Sequence, residues 1–299
     1  MHLSSHFVGR RLKTTARHFT WRDTMNYAAA TNDSNPVYFD DERVEGILAP
    51  PLFSVALTWP VTANIADLLE DEDFPREVLL SQVHYTEHLH FAIPLKPDAT
   101  LMIAGRIVAI LPHRAGTHVV LRYDATDARG QIVFTEHIGA MLRGVECTDA
   151  GSGQTALPFI PRLETKKAPL WDAPLSIDAA RPFIYDGCTN ISFPIHTSPK
   201  FARQVGLPGI ILQGTATLAL AARELIDREA DRDPSRLMEI ACRFTGMVHP
   251  GTDINICLEG RRQSENGLEL HFSVLNHQGE RAISGGYALL SSNPQELGN

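Results

Sequence analysis

The sequence predicts an α+β protein built from two copies of one structural unit. Three observations support this prediction. A short motif occurs twice, at 31–38 and 189–196, and the two copies align without a gap. Each copy precedes a Gly-led apolar run with a helical pattern, and each helical pattern precedes runs of alternating or β-branched residues. Each half should therefore form its helices first and an antiparallel sheet afterwards.

The helical pattern is clearer in the second half of the chain. After the run 209–216, apolar residues recur at i, i+3, i+4, i+7 and i+8: Leu218, Ala221, Ala222, Leu225 and Ile226. The matching run in the first half extends from Phe53 to Glu70 and contains Pro60. Proline lacks the backbone N–H that a helix interior requires, so we expect Pro60 to kink or interrupt this helix.

The strand patterns occupy corresponding positions in the two halves. Strand-like segments at 91–98 and 244–251 come first, and the predicted strands that follow are 101–111, 117–125, 132–142, 253–259, 268–275 and 282–290. The segment 148–164 is rich in Gly, Ser, Thr and Pro and is predicted to link a first repeat, 1–147, to a second, 165–299. Pairing between the two repeats would cover the open sheet edge of each.

Composition and charge exclude several classes of protein. The net charge is −8 and no basic stripe is present, which argues against a nucleic-acid partner. The four cysteines form no C-x-x-C pair and show no zinc-type spacing with histidine, so we expect reduced thiols, no metal and no cofactor. No segment approaches the ~20 apolar residues of a membrane span, and the amino terminus lacks a secretory pattern. A cytoplasmic location is therefore predicted.

The repeated motif resembles a known family signature. Segments 27–38 and 184–196 are similar to the pattern Gly-Asp-x-Asn-Pro-Ile-His of R-specific enoyl-CoA hydratases and MaoC-like dehydratases. Further similarity lies at 38–41, 48–51 and 243–251. The resemblance implies a double hotdog fold, in which a long helix is wrapped by a curved antiparallel sheet, twice. It also implies a hydro-lyase that interconverts 2-enoyl and 3-hydroxyacyl thioesters of coenzyme A.

In the family that the motif resembles, the Asp and His transfer protons, and a Gly N–H at the start of the long helix stabilises the enolate oxygen. The first copy retains Asp33 and Asn35 but has Tyr38 at the histidine position. A phenol with a pKa near ~10 is a poor base at neutral pH. Pro51 stands at the glycine position and offers no N–H.

The second copy is the better candidate for an active site. It retains His196 and Gly214, although Ile191 replaces the acid. The resemblance implies that His196 is the acid/base and that the Gly214 N–H is the oxyanion donor. The remaining predicted site residues are Asn190 or Ser192 for holding water, Gln213, Thr215 and Asn35 for binding substrate, and Asp33 as a less favoured catalytic group.

Several alternatives stay open at this point. The repeated Thr-Asn pairs ending in Asn32 and Asn190 are typical of a capping role, and Asp33 is also typical of a turn. His84, His88 and His90, close together on a predicted strand, could hold a metal.

The alternative functions are a non-catalytic acyl-binding hotdog protein, one subunit of a paired dehydratase, or a thioesterase. The last would need Glu224, which lies far along the second helix. The expected partners are an acyl-CoA substrate and either a second copy or a paired hotdog subunit. A bend at Pro60 would leave room for a bulky acyl group.

Overall fold

The computed structural model describes residues 1–162 and 168–292 and has an α+β architecture. The first half contains, in order, β1 (His2–Leu3), β2 (Thr15–Phe19), α1 (Trp21–Ala30), α2 (Phe53–Ala63), α3 (Ile65–Leu68), β3 (Gln82–Phe91), β4 (Ala99–His113), β5 (Gly116–Thr126), β6 (Ile132–Arg143) and β7 (Glu146–Cys147). The second half contains β8 (Trp171–Ser176), α4 (Arg181–Thr189), α5 (Pro194–Thr197), α6 (Pro199–Gln204), α7 (Gly214–Glu229), β9 (Leu237–Phe244), β10 (Asp253–Ser264), β11 (Gly267–Leu275) and β12 (Arg281–Leu290).

Ten strands form one continuous sheet in the order β2-β4-β5-β6-β3-β9-β12-β11-β10-β8. Each half contributes five strands, and the halves are joined by antiparallel pairing of β3 with β9, in which His88 stands opposite Ala241. The sequence-based prediction that each repeat covers the open edge of the other is therefore confirmed. Strands β1 and β7 form a separate small parallel pair.

The two joining strands share an irregularity. The pairing of β3 with β6 skips a residue between His84 and Thr86. The pairing of β9 with β12 skips a residue between Leu237 and Glu239. Each skip is a β-bulge, so His84 and Leu237 occupy equivalent positions in the two halves.

The two long helices pack against the inner face of the sheet. Helix α7 spans 16 residues, as the periodicity predicts, and buries most of its length. In the first half, α2 contains Pro60 and ends at Ala63, and Asn64 separates it from α3. The Asn64 side chain donates a hydrogen bond of 2.8 Å to the Pro60 carbonyl. The predicted interruption is confirmed, one helical turn after the proline.

The six predicted strands lie within β4, β5, β6, β10, β11 and β12 and are confirmed. The strand-like interpretation of 91–98 and 244–251 is wrong, because only Phe91 and Phe244 belong to strands and the rest forms loops. Prolines at 94, 97 and 250 lack the N–H that a ladder requires.

The described part of the predicted linker packs on the outer face of the sheet. Ser152 exchanges backbone hydrogen bonds of 3.0 and 2.9 Å with Ile110. Leu157 contacts an apolar cluster of the first half, and Ile160 contacts one of the second half. The end of the predicted linker, 163–164, lies outside the described residues, and the proposed boundaries of the two repeats stay predictions.

Helices also join the two halves, with α1 packed against α4. The hydroxyls of Tyr27 and Tyr185, which align in the repeat, lie 3.1 Å apart in the interior. The buried Arg181 donates to the Ala30 carbonyl at 2.7 Å and so satisfies an acceptor at the end of α1. Among the residues described, no helix is long and apolar enough to cross a membrane.

Candidate active site

The repeated Thr-Asn pairs terminate helices α1 and α4. Asn190 is the C-cap of α4 and has a left-handed backbone with φ of 57°, and Asn32 follows α1 with φ of 51°. The Thr189 hydroxyl donates to the Tyr185 carbonyl at 2.6 Å. Asparagine tolerates this conformation better than most residues, so the predicted capping role is confirmed. The Asn190 side chain is exposed, and its predicted role in holding water stays a prediction.

His196 lies in the short helix α5 and is held by the segment that leads into α7. Its Nδ1 is 2.9 Å from the Ile211 carbonyl oxygen, which can only accept, so Nδ1 carries the proton. Burial lowers the pKa of His196 to about 4, opposed by this hydrogen bond. The ring is therefore neutral at pH 7, and the lone pair of Nε2 is available to accept a proton.

Gly214 is the first residue of α7, the position at which helix N–H groups lack internal acceptors. Within the described residues, its N–H has no acceptor in the protein. Ring atoms of Phe244 lie 3.0 to 3.3 Å from the point where a Cβ at position 214 would stand. The glycine therefore allows an aromatic ring to approach the start of the helix.

The neighbours of Gly214 are buried and bonded to protein. The Gln213 side chain donates to the Pro182 carbonyl at 3.1 Å, and among the described residues its side-chain oxygen Oε1 is buried without a partner. The Thr215 hydroxyl accepts a hydrogen bond from Tyr185 at 3.2 Å. Ile191, at the family acid position, is buried in the core, whereas Ser192 is exposed. Substrate contacts by Gln213, Thr215 and Ser192 stay predictions.

The equivalent site in the first half is filled by side chains. Asp33 accepts from the Asn35 backbone N–H at 3.0 Å, and Asn35 accepts from the Val37 N–H at 3.2 Å. The predicted turn role of Asp33 is thus confirmed, while catalysis by Asp33 and substrate binding by Asn35 stay predictions. Tyr38 is 1% exposed, and burial raises its pKa well above its ordinary value.

A narrow cleft of about 10 Å³ marks the first-half site. It is lined by apolar residues that include Leu48, Pro51, Phe91 and Leu237. A more open cleft lies beside the linker, near Pro112 and Gly151. His196 lines neither of these two clefts. Neither of them is the wide acyl pocket that the bend at Pro60 led us to expect.

Three ionisable residues of the first half form a buried cluster close to the start of α7. His84 Nε2 lies 3.1 Å from a carboxyl oxygen of Glu87, and Glu87 adjoins Glu136. The alternation of residues along these two strands is the sequence signal that could have identified the two buried carboxyls. Glu87 shares a strand face with Leu89 and Phe91, and Glu136 shares one with apolar residues of β6. A carboxyl on an apolar face is the informative exception.

The three histidines considered as metal ligands do not converge. His84 contacts Glu87 in the interior, His88 pairs with Glu239 at 2.7 Å, and His90 is exposed. Within the described part of the chain, no group of three or more His, Cys, Asp or Glu side chains is placed to hold a metal ion.

Two family models match the chain, one in each half. The model of the FAS1-like dehydratase domain region matches residues 6–136, and that of the MaoC like domain matches residues 164–270. Enoyl-CoA hydratase ChsH3 of Mycobacterium tuberculosis is 24% identical over 82% of this chain and 86% of its own length. Probable enoyl-CoA hydratase 2 of Dictyostelium discoideum is 22% identical over 95% of each chain.

Solved structures agree with the fold. A MaoC-like dehydratase from Phytophthora capsici has a TM-score of 0.81 at 19% identity, over 96% of this chain and 98% of its own. A conserved hypothetical protein from Mycobacterium tuberculosis, described as having a double hotdog fold, has a TM-score of 0.59 at 13% identity over 94% and 95%. The family resemblance and the predicted fold are both confirmed. The chain therefore contains a FAS1-like dehydratase region in its first half and a MaoC like domain in its second half.

Proposed function

We propose that this protein is a hydro-lyase that interconverts 2-enoyl-CoA and 3-hydroxyacyl-CoA at the start of helix α7. The observation that carries the proposal is the hydrogen bond from His196 Nδ1 to the Ile211 carbonyl, 2.9 Å long. This bond fixes the tautomer and leaves Nε2 as a neutral base. It also ties the ring to Ile211, three residues before the helix whose first N–H groups are unpaired. The relatives named as enoyl-CoA hydratases support the substrate class.

Hydration would proceed through an enolate. His196 Nε2 takes a proton from water, the water oxygen bonds to C3 of the enoyl group, and the C2–C3 π electrons move toward the thioester oxygen. The Gly214 N–H, reinforced by the positive end of the α7 dipole, stabilises the resulting negative charge. C2 then takes a proton and His196 gives up the one that it took from water, so that H and OH have been added across the double bond. Dehydration is the reverse.

We propose the second site because the first site has lost the oxyanion donor. Removing one such donor typically raises the barrier by about 2.7–4 kcal/mol. The first site lacks the donor because Pro51 stands at the Gly214 position. Its base position is occupied by the buried Tyr38, whose raised pKa keeps the phenol protonated at neutral pH and so unable to act as a base.

The test is turnover of enoyl-CoA substrates by the wild-type protein and by His196→Ala. We expect the absorbance of crotonyl-CoA, or of longer or branched enoyl-CoA esters, to fall with the wild-type protein. We expect kcat/KM of His196→Ala to fall by at least about 10²-fold, which is the contribution of a general base. His90→Ala, an exposed histidine on β3, is the matched control and should retain wild-type turnover.

Absence of wild-type turnover on the whole substrate panel would refute the proposal. Tight acyl-CoA binding without turnover would then support a non-catalytic acyl-binding protein. The observation that favours this second function is Ile191, an apolar residue at the family acid position. Turnover that appears only after a second hotdog protein is added would support a paired dehydratase.

A thioesterase is the weakest alternative. Glu224 accepts from Arg223 at 2.8 Å and from Arg228 at 3.1 Å, so its carboxylate is already paired with two cations. Our proposals for its setting are a cytoplasmic location, supported by four unpaired cysteines, and association with a second copy.

A further inference from the structure

Strands β3 and β9 are equivalent in the two halves and pair with each other at the centre of the sheet. Their β-bulges correspond, so His84 on β3 is equivalent to Leu237 on β9. In the first site Leu237 lines the narrow cleft together with Leu48 and Pro51. A side chain that is apolar at the first site is therefore an imidazole at the second site.

The repeat also shows which residues of the second half His84 faces. Leu48 and Pro51 of the first cleft align with Ile211 and Gly214. By this equivalence, His84 of the first half lies beside the segment that leads into helix α7.

Contacts in the structure agree with this placement. The His84 ring packs against the Phe244 ring with centroids 4.5 Å apart, and ring atoms of Phe244 lie 3.0 to 3.3 Å from the point where a Cβ at Gly214 would stand. His196 is tied to the same segment by its hydrogen bond to the Ile211 carbonyl. His84 and His196 therefore flank the start of α7 from different halves of the chain.

A backbone carbonyl fixes the tautomer of His84, as another does for His196. Nε2 of His84 lies 3.2 Å from the Thr86 carbonyl oxygen, which can only accept, so Nε2 carries the proton. It also lies 3.1 Å from a carboxyl oxygen of Glu87 in the interior. Burial lowers the pKa of His84 to about 4, opposed by Glu136 and by the Thr86 hydrogen bond, so the ring is neutral at pH 7.

The Nδ1 lone pair of His84 is left to accept a hydrogen bond. Among the residues described, Nδ1 has no hydrogen-bond partner, and the side chain retains 21% exposure. The two nitrogens of an imidazole point in different directions, so an Nε2 directed at the buried Glu87 leaves Nδ1 directed away from it. The second site thus has two neutral imidazoles, each with one nitrogen held by the backbone and one lone pair unused.

On the basis of the proposed hydratase function, we propose that Nδ1 of His84 is the second acceptor that orients the attacking water. A water molecule has two hydrogens. Nε2 of His196 accepts the hydrogen that is removed, and Nδ1 of His84 accepts the other, which leaves a lone pair of the oxygen directed at C3. Ile191, at the acid position of the second motif, offers no acceptor for this hydrogen.

His84 neither gains nor loses a proton in this role. The hydrogen that it holds stays on the water oxygen and becomes the hydrogen of the 3-hydroxyl group. In the dehydration direction the same hydroxyl donates to Nδ1, which turns the other side of the oxygen towards His196. Glu87 remains sealed in the interior and takes no part in the reaction.

The test uses three substitutions that separate the two nitrogens of His84. His84→Leu copies the first site and removes both. His84→Gln places an amide near Nε2, where it can still donate to Thr86, but puts no acceptor near Nδ1. His84→Asn puts its side-chain oxygen near Nδ1 and loses the contact with Thr86.

We expect kcat to fall by about 10²-fold in His84→Leu and His84→Gln, because misplacing a reacting atom by about 1 Å costs that much. KM for the enoyl-CoA should be unchanged, because the water and not the substrate is held. His84→Asn should retain most of the wild-type kcat. Thermal unfolding checks that each variant folds, and His90→Leu, at an exposed position of the same strand, is the matched control.

Binding of the hydrated product gives a second measurement that does not depend on turnover. In a His196→Ala background, which blocks the reaction, calorimetry compares 3-hydroxybutyryl-CoA with butyryl-CoA. The hydroxyl should strengthen binding by about fivefold, the worth of one hydrogen bond. Adding His84→Leu or His84→Gln should abolish this preference, and adding His84→Asn should preserve it.

The outcomes distinguish this inference from the hydratase proposal. Wild-type kcat in His84→Leu would overturn the inference and leave the hydratase proposal standing. Equal loss in all three variants, or activity kept by His84→Gln and lost in His84→Asn, would assign His84 a structural role and overturn it as well. A hydroxyl preference that survives His84→Leu would also contradict it. Absence of wild-type turnover on every enoyl-CoA would overturn both proposals.

Discussion

Asn190 and His196 lie close together in one motif but have different local surroundings. Asn190 has a left-handed backbone at the end of a helix, and its side chain faces solvent. His196 is partly buried, and its Nδ1 bonds to a carbonyl that fixes the tautomer. The conformation of Asn190 is explained by capping alone, whereas capping does not explain the tautomer of His196.

Substitution of Asn190 tests whether its side chain contributes more than a cap. Asn190→Gly should leave both stability and kcat near wild type, because glycine accepts positive φ. Asn190→Ala should lower the free energy of unfolding by roughly 1–2 kcal/mol, because its Cβ is strained in this conformation, with kcat unchanged. Urea unfolding and enoyl-CoA turnover measure both effects. A large loss of kcat in the glycine variant would instead favour the predicted role in holding water.

The two long helices begin differently, and this difference separates the two sites. Helix α7 begins at Gly214 with Phe244 packed on it, whereas α2 begins at Phe53 after two prolines. Proline removes the N–H at the aligned position. The N–H that the proposed mechanism uses to stabilise an enolate is therefore present at the start of α7 and absent from the aligned position before α2.

Adding one methyl group to Gly214 tests the close packing of this helix start. In Gly214→Ala the Cβ would stand 3.0 Å from the Phe244 ring, so the ring must move by a few tenths of an ångström. We expect kcat to fall while stability changes by less than about 1 kcal/mol, because alanine also favours the helix.

Gly187→Ala is the matched control, since no atom lies within 4 Å of a Cβ at that helical position. It should raise the free energy of unfolding by about 0.5–1 kcal/mol and leave kcat unchanged. Equal kcat in both alanine variants would contradict the role assigned to the packing of Phe244.

The two halves share one sheet and one network of buried contacts. Antiparallel pairing of β3 with β9 makes the ten strands continuous. The Tyr27–Tyr185 contact and the hydrogen bond from Arg181 to Ala30 join the helices of the two halves. Separating the halves would expose a sheet edge and leave buried polar groups unpaired, which is unfavourable.

We therefore expect the protein to unfold in one cooperative transition. Variants that retain only Trp59 in the first half or only Trp171 in the second, with the other tryptophans changed to phenylalanine, report on each half separately. Fluorescence of the two variants during urea unfolding should give a single coincident transition in each, matching circular dichroism of the same sample. Separate midpoints for the two probes would show that the repeats are independent domains.

The sequence by itself determined the duplicated α+β architecture, six of the ten strands of the shared sheet, the interruption after Pro60 and the capping Thr-Asn pairs. These features depend on local periodicity and backbone preference, which short segments express by themselves. Placement of His84, Glu87 and Glu136 beside the start of α7 was decided only by the tertiary structure. Those residues lie in the other half of the chain from Gly214, and only the pairing of β3 with β9 brings them together. Local pattern carries no information about such a distant contact, because its geometry is set by how the two halves pack.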